Sequence, residues 1–239
     1  MRLEKYLADC GVGSRSQCKT YIRQGLVKVN GSVAENGAQK VSGTEEISFQ
    51  GKTLTLAKNL YFMFHKPAGC ICATRDNSQK TVLDFFPPVL SKKLLIAGRL
   101  DKDTEGMLLL TDDGAFIHQL MSPGKHVEKT YFFKASGRLS KDAADRVAAG
   151  MDIGDEKPLK PGRLYHIQIT GTDAFSGCLT IKEGRYHQVK RMIKALGGEV
   201  SYLKRISIGP VSLDAALSPG EYRPLTEEEL QLLGRESVK

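Results

Sequence analysis

Two short apolar runs, residues 94–97 (Leu-Leu-Ile-Ala) and 107–110 (Met-Leu-Leu-Leu), flank a charged stretch bounded by glycines. That stretch reads Gly98-Arg99-Leu100-Asp101-Lys102-Asp103-Thr104-Glu105-Gly106. Unbroken apolar runs of this length, closed by glycines, predict buried strands more readily than helices. The polar insert then becomes a loop at the ends of two core strands. Irregular polar loops on a rigid scaffold are where functional groups collect, although a solvated turn would show the same charge. Arg99 stands two residues before Asp101, and Asp103 and Glu105 continue the alternation.

Upstream, Leu3, Tyr6, Leu7 and Cys10 recur at helical spacing and predict a short amphipathic helix over residues 3–10, broken by Gly11-Val12-Gly13. Ser14 with Gln17 forms a capping-box pair that opens a second helix, with Cys18, Tyr21 and Ile22 on its apolar side and Gly25 as its stop. Leu26-Val27-Lys28-Val29 alternates as a strand, and Asn30-Gly31 is a strong hairpin signal. Val41 and Ile47 suggest one more strand, which frays at Gly51-Lys52-Thr53.

A hinge is expected at Lys58-Asn59. Leu60-Tyr61-Phe62-Met63-Phe64 then reads as a dense apolar strand, turned by His65-Lys66-Pro67-Ala68-Gly69, with His65 on the surface or at a cap. Asp112-Asp113 caps a helix through Phe116, Ile117 and Leu120 that stops at Ser122-Pro123-Gly124. Residues 126–133 alternate as a strand, residues 140–149 form a helix ending at Gly150, and 152–162 a loop. Strands follow at 163–169 and 177–182. A helix starts near His187 with Val189, Met192, Ile193 and Leu196 as its apolar stripe, stopped by Gly197-Gly198. A strand and turn at 202–210 and a helix capped at Thr226 complete the pattern. Interleaved strands with few long helices predict an α+β class, with a mainly antiparallel mixed sheet and peripheral helices rather than a doubly wound parallel fold.

Composition narrows the functional classes. Among 239 residues, 41% are hydrophobic and 26% charged, which suits a folded chain of one large or one large and one small domain. A net charge of +8 points to a polyanionic partner. Residues 1–58 hold nine Lys+Arg and five Asp+Glu, so this quarter of the chain carries half the excess. Arg15, Lys19 and Arg23 lie at i, i+4 and i+8 on one helical face, with Lys5 before them and Lys28 after. No apolar run spans a bilayer and the first residues do not make a signal peptide, so a cytoplasmic protein is expected. Five cysteines fit reduced thiols, and no ligand cluster suggests a metal.

The loop string Gly98-Arg99-Leu100-Asp101 with Thr104-Glu105-Gly106 resembles the first motif of the pseudouridine synthases, whose aspartate is catalytic. His65-Lys66-Pro67-Ala68-Gly69 is similar to the opening of that catalytic domain, and Lys129-Thr130-Tyr131 to the second motif, where the tyrosine packs on the target base. Gly184-Arg185-Tyr186-His187-Gln188-Val189-Lys190-Arg191 resembles the third. Arg2-Leu3, Lys5, Ser14-Arg15, Gly25 and Val27-Lys28-Val29-Asn30-Gly31 resemble the S4-like RNA-binding domain. The spelling of the third motif, with Leu110-Thr111-Asp112-Asp113-Gly114 and residues 220–229, is most similar to the family members that act on small-subunit ribosomal RNA.

The expected organisation is a small α/β RNA-binding domain at residues 1–58, S4-like by this resemblance, and a catalytic domain at 59–239. The activity implied is isomerisation of uridine to pseudouridine in small-subunit ribosomal RNA by a monomer without cofactor or metal. Asp101 would be catalytic, as nucleophile or base, with Lys190 as its cation and Tyr131 as the stacking ring. Arg99, His187, Gln188 and Arg191 would bind substrate, and Arg191 is the alternative partner for Asp101. Lys5, Arg15, Lys19, Arg23 and Lys28 would contact RNA phosphates. Other readings are a synthase for large-subunit RNA, a glycosidase pairing Asp101 with Glu105 across about 5–9 Å, and a non-catalytic ribosome-assembly protein.

Overall fold

The computed structural model describes residues 1–10, 12–42, 44–54, 59–122, 124 and 127–234. Gly11, Lys58, Pro123 and His126, each named above at a break, hinge, helix stop or strand start, lie outside them. The chain divides into two compact units, Met1–Asn59 and a larger one from Leu60 onward.

In the smaller unit, α1 (Leu3–Asp9) precedes α2 (Arg15–Arg23), which opens with the reciprocal Ser14/Gln17 capping box. Asn30 (φ 49°) and Gly31 (φ 80°) are both left-handed, as a tight hairpin turn requires, and join β1 (Val27–Val29) to β2 (Ser32–Val33). β3 (Ile47–Phe49) pairs with β1. The stretch expected to fray instead turns at Gln50 (φ 50°) and Gly51 (φ 79°) and returns as β4 (Lys52–Leu54). This second left-handed turn has no Asn-Gly signature to announce it. Val41 is buried but belongs to no strand. Leu3, Leu7, Cys18, Ile22, Val27 and Ile47 pack under the order β2-β1-β3-β4.

The larger unit begins with β5 (Tyr61–Lys66), which runs two residues beyond the expected strand. His65 therefore sits in the sheet, buried, with Nδ1 2.7 Å from the Leu217 carbonyl, and not at the surface. A 3-10 turn and the short α3 (Pro88–Ser91) lead to β6 (Leu95–Ala97) and β7 (Glu105–Thr111). β7 is buried almost throughout, whereas β6 is short and leaves Leu95 43% exposed, so the first apolar run is only partly core. α4 (Gly114–Met121) is capped by the Asp113 carboxylate, which accepts from the Ala115 and Phe116 amides. β8 (Lys129–Gly137), α5 (Ala143–Ala149), β9 (Arg163–Ile169), β10 (Ala174–Ile181) and α6 (Gln188–Ala195) follow. β11 (Gly198–Ile208), β12 (Val211–Ser212), β13 (Tyr222–Pro224) and α7 (Glu227–Leu232) complete the unit.

Its sheet runs β13-β5-β7-β11-β8-β10-β9, with β6 and β12 alongside. Among the described residues only β7 and β11 pair in parallel, which makes the sheet mixed and mainly antiparallel in an α+β fold. Period two explains why β5 and β7 are apolar at nearly every position. Tyr61, Met63, Met107 and Leu109 face one cluster with Phe116 and Leu120 of α4 and Leu230 of α7. Phe62, Phe64, Leu108 and Leu110 face another with Phe86. A third cluster joins Phe133, Leu179 and Leu203 of the sheet to Val189, Met192 and Ile193 of α6. No helix among the described residues is long and apolar enough to cross a membrane.

Candidate active site

The charged loop leaves β6 at Gly98 (φ 81°) and re-enters the sheet at Glu105. Lys66, fully buried at the end of β5, holds it from below: Nζ donates to the carbonyls of Pro67 (3.0 Å), Lys102 (3.2 Å) and Thr104 (2.8 Å). Burial pulls the Lys66 ammonium below its ordinary range, partly offset by the nearby Cys70 and Cys72 thiols, Asp103 and Asp101. The Gly69 amide donates to the Lys102 carbonyl at 2.8 Å and closes the tie from the other side. Gly106 is required where the loop joins β7: its φ is 108°, and a Cβ there would lie 2.2 Å from the Arg205 carbonyl on the parallel neighbour.

Opposite the loop, the turn after β10 brings His187 into the left-handed region (φ 47°) as the N-cap of α6. His187 Nε2 lies 3.6 Å from Asp101 Oδ1, and Lys190 Nζ lies 3.5 Å from Asp101 Oδ2. Asp101 thus meets a different group at each carboxylate oxygen, beside the positive end of a helix. Lys190 is nearer still to Asp103, with Nζ at 2.6 and 2.8 Å from its two oxygens. Burial raises the Asp103 carboxyl, but the hydrogen bond and charge of Lys190 outweigh it and leave that carboxyl below the usual carboxylate range. Lys190 is shared between two carboxylates and is tilted toward the second.

Tyr131 stands on β8 with 7% of its surface exposed, and lines the same cleft as Arg99, Asp101, His187, Gln188 and Lys190. Arg205 on β11, buried at 2% exposure, supports it from behind. The guanidinium lies 6.0 Å from the ring centroid; Nη1 is 3.4 Å from the phenol oxygen, and Nε donates to the Met107 carbonyl at 2.7 Å. Sequence reasoning missed Arg205. The available signal was its phase: it shares the buried face of β11 with Leu203, where a charge is out of place.

The remaining expected residues sort by position. Arg99 is exposed at the cleft, without an ion pair to any described residue. Gln188 lines the cleft, but its side chain is buried and its Oε1 accepts from the Arg185 amide at 2.9 Å, holding the turn. Arg191 does not reach Asp101. Its guanidinium donates to Asp155 at 2.5 Å and to the Ile153 carbonyl at 2.7 Å, and Arg185 also holds Asp155 at 3.0 Å. The two arginines pin the loop before β9 to α6 and hold the Asp155 carboxyl below its ordinary range. In the smaller unit, Lys5, Arg15, Lys19, Arg23 and Lys28 are all exposed, and Lys19 lies 3.9 Å from Glu4. The five cysteines are all free thiols.

A cleft of this kind, with one carboxylate, a shared lysine and a buried tyrosine ring, can stabilise positive charge on a sugar and hold a planar base. Residues 60–195 match the family model for RNA pseudouridylate synthase, and residues 1–47 match the S4 domain. The chain is 45% identical to the uncharacterized RNA pseudouridine synthase YtzG of Bacillus subtilis, covering 98% of both chains. It is 43% identical to the ribosomal small subunit pseudouridine synthase A of Haemophilus influenzae, over 98% of this chain and 99% of that one. A crystal structure of a pseudouridylate synthase superimposes with a TM-score of 0.68 at 42% identity, covering 98% of this chain and 99% of that one. The chain belongs to the RNA pseudouridylate synthase family and carries an S4 domain at its amino-terminal end.

Proposed function

We propose that this protein converts a uridine of small-subunit ribosomal RNA to pseudouridine, with Asp101 as the catalytic carboxylate. The observation that carries the assignment is the cleft itself: Asp101 faces His187 at 3.6 Å and Lys190 at 3.5 Å, and Tyr131 lines the same space. The small-subunit target is supported by the likeness to relatives such as the ribosomal small subunit pseudouridine synthase A of Haemophilus influenzae.

The reaction breaks the N-glycosidic bond, turns the uracil and joins its carbon to the same ribose, so substrate and product have the same atoms. The uridine must leave its stack to reach Asp101. Tyr131 offers a ring face for the uracil and Arg205 fixes that ring's phenol end. Asp101, as nucleophile or base toward the sugar, acts while ionised; the Lys190 ammonium compensates its charge when the base displaces water, and a His187 ring nitrogen faces its other oxygen. Arg99, exposed at the cleft, binds the nucleotide flanking the target. Residues 1–58 act as an RNA-binding domain through Lys5, Arg15, Lys19, Arg23 and Lys28, and residues 59–239 as the catalytic domain of a monomer.

The test combines purified protein, unmodified small-subunit RNA and Asp101→Asn. The wild type should form pseudouridine; the variant, nearly isosteric, should bind RNA alike but lose roughly 10²–10⁴-fold or more in rate. Substantial turnover by Asp101→Asn would remove Asp101 from the chemistry. Pseudouridine only in large-subunit RNA would move the target.

A further inference from the structure

Tyr186 is unlike the other aromatic side chains of the catalytic unit. It is 78% exposed, more than any other large hydrophobic residue among those described. Its ring is stacked on the imidazole of His187, with centroids 3.8 Å apart and planes at 19°. His187 in turn faces Asp101 at 3.6 Å. From the carboxylate outward, the order is therefore Asp101, His187, Tyr186, solvent.

The segment holding this pair is rigid on both sides. Before it, Arg185 is tied to Glu183 (3.1 Å), Asp155 (3.0 Å) and the carbonyls of Lys157 (2.6 Å) and Pro158 (2.8 Å). After it, α6 begins at once, and its residue Arg191 donates to the Tyr186 carbonyl at 3.5 Å. His187 is also held at a left-handed φ of 47°, uncommon for a residue with a side chain. A backbone so constrained presents the phenol ring at the rim of the cleft, where burial gains nothing from it. An exposed aromatic ring fixed in place loses little entropy when another ring lands on it.

We propose that Tyr186 is a stacking platform for a nucleobase next to the target uridine. The inference rests on the RNA-modifying function proposed above and adds a subsite to it. When a uridine swings out of its stack, the neighbouring base loses a stacking surface. Tyr186 replaces it, and the base–Tyr186–His187 column continues the stack to the edge of Asp101. Stacking on an aromatic ring tolerates any base, so the platform contributes position and affinity more than base choice. Tyr131, inside the cleft, takes the extruded uracil, and Tyr186, at the rim, takes its neighbour.

The chain contains no tryptophan, so Tyr186→Trp introduces a single indole that reports on this position alone. The probes are unmodified small-subunit ribosomal RNA transcribed in vitro and free uridine 5′-monophosphate, which offers a target base without a neighbour. RNA should quench the indole emission at concentrations where filter binding shows a complex, and the mononucleotide should not. Tyr186→Ala should raise KM for the RNA about tenfold, the scale of one lost base–aromatic stack, with a much smaller change in kcat. Tyr186→Phe should restore KM, since the ring and not the hydroxyl does the stacking. Unquenched emission in the RNA complex overturns the platform, as does equal quenching by the mononucleotide or an unaltered KM for Tyr186→Ala. A wild type that binds the RNA without forming pseudouridine overturns the enzymatic reading instead, and the quenching result still decides the platform.

Discussion

Lys190 is poised between two carboxylates, 3.5 Å from Asp101 and 2.6 Å from Asp103. A single cation so placed can lean toward Asp101 as the substrate excludes water, while Asp103 keeps it in reach. Lys190→Met retains the apolar stem and removes the charge, leaving Asp101 and Asp103 without their shared cation. The expected outcome is a folded protein whose single-turnover rate falls roughly tenfold to a hundredfold, the scale of one charged hydrogen bond. An unchanged rate would show that the cation serves only the loop. The ion pair also has a pH window. The folded Asp103 carboxyl lies below its ordinary value, so its contribution is present above that value and fades as pH falls through the lower one. The sequence pointed to Asp101, Lys190 and Tyr131 through motif spelling. It could not exclude Arg191 as the partner of Asp101, because the carboxylate that captures Arg191 is Asp155, 36 residues away in the chain.

At the scale of elements, the parallel contact between β7 and β11 joins the charged loop to the strand carrying Arg205. Tyr202 of β11 reinforces it by donating its hydroxyl to Glu105 at 2.8 Å. Burial, then the hydrogen bond and the charge of Glu105, push the Tyr202 phenol up to about 12 from 10.0. A group whose folded value is raised contributes fully below its unfolded value and loses that contribution as pH rises through the folded one. The stability gap between wild type and Tyr202→Phe should therefore be constant to about pH 10 and shrink between about 10 and 12. Urea midpoints at pH 9 and near pH 12 check this, and a gap that does not shrink would mean the phenol is not held by Glu105. Caps and tight turns were the most legible elements: the Ser14/Gln17 and Thr226/Glu229 boxes and the Asn30-Gly31 hairpin all carry side chains that define them locally. Strand ends were less so. β11 starts four residues before Tyr202: Glu199-Val200-Ser201 already alternates polar and apolar, and pairing with β8 carries the strand back to Gly198, directly after the helix stop.

Across the whole molecule, the charge excess is spread over two units, each with its own core. Changing Arg15, Lys19 and Arg23 together to glutamine leaves the buried residues of α2, Cys18 and Ile22, untouched. If that face meets RNA phosphates, the slope of log affinity against log salt should fall by about two to three while the affinity drops. An unaltered slope would show a merely solvated face. Two-unit organisation, α+β class and the family motifs were readable because they rest on local periodicity, capping chemistry and contiguous strings. His65 in the sheet, Arg205 behind Tyr131, Arg191 on Asp155 and the exposed Tyr186–His187 stack depend on contacts between residues distant in sequence or on which side of a turn is left to solvent. Local preference sets what a segment tends to become. Strand register and packing decide which side chains meet, and in this protein they decide which positive groups stand beside Asp101.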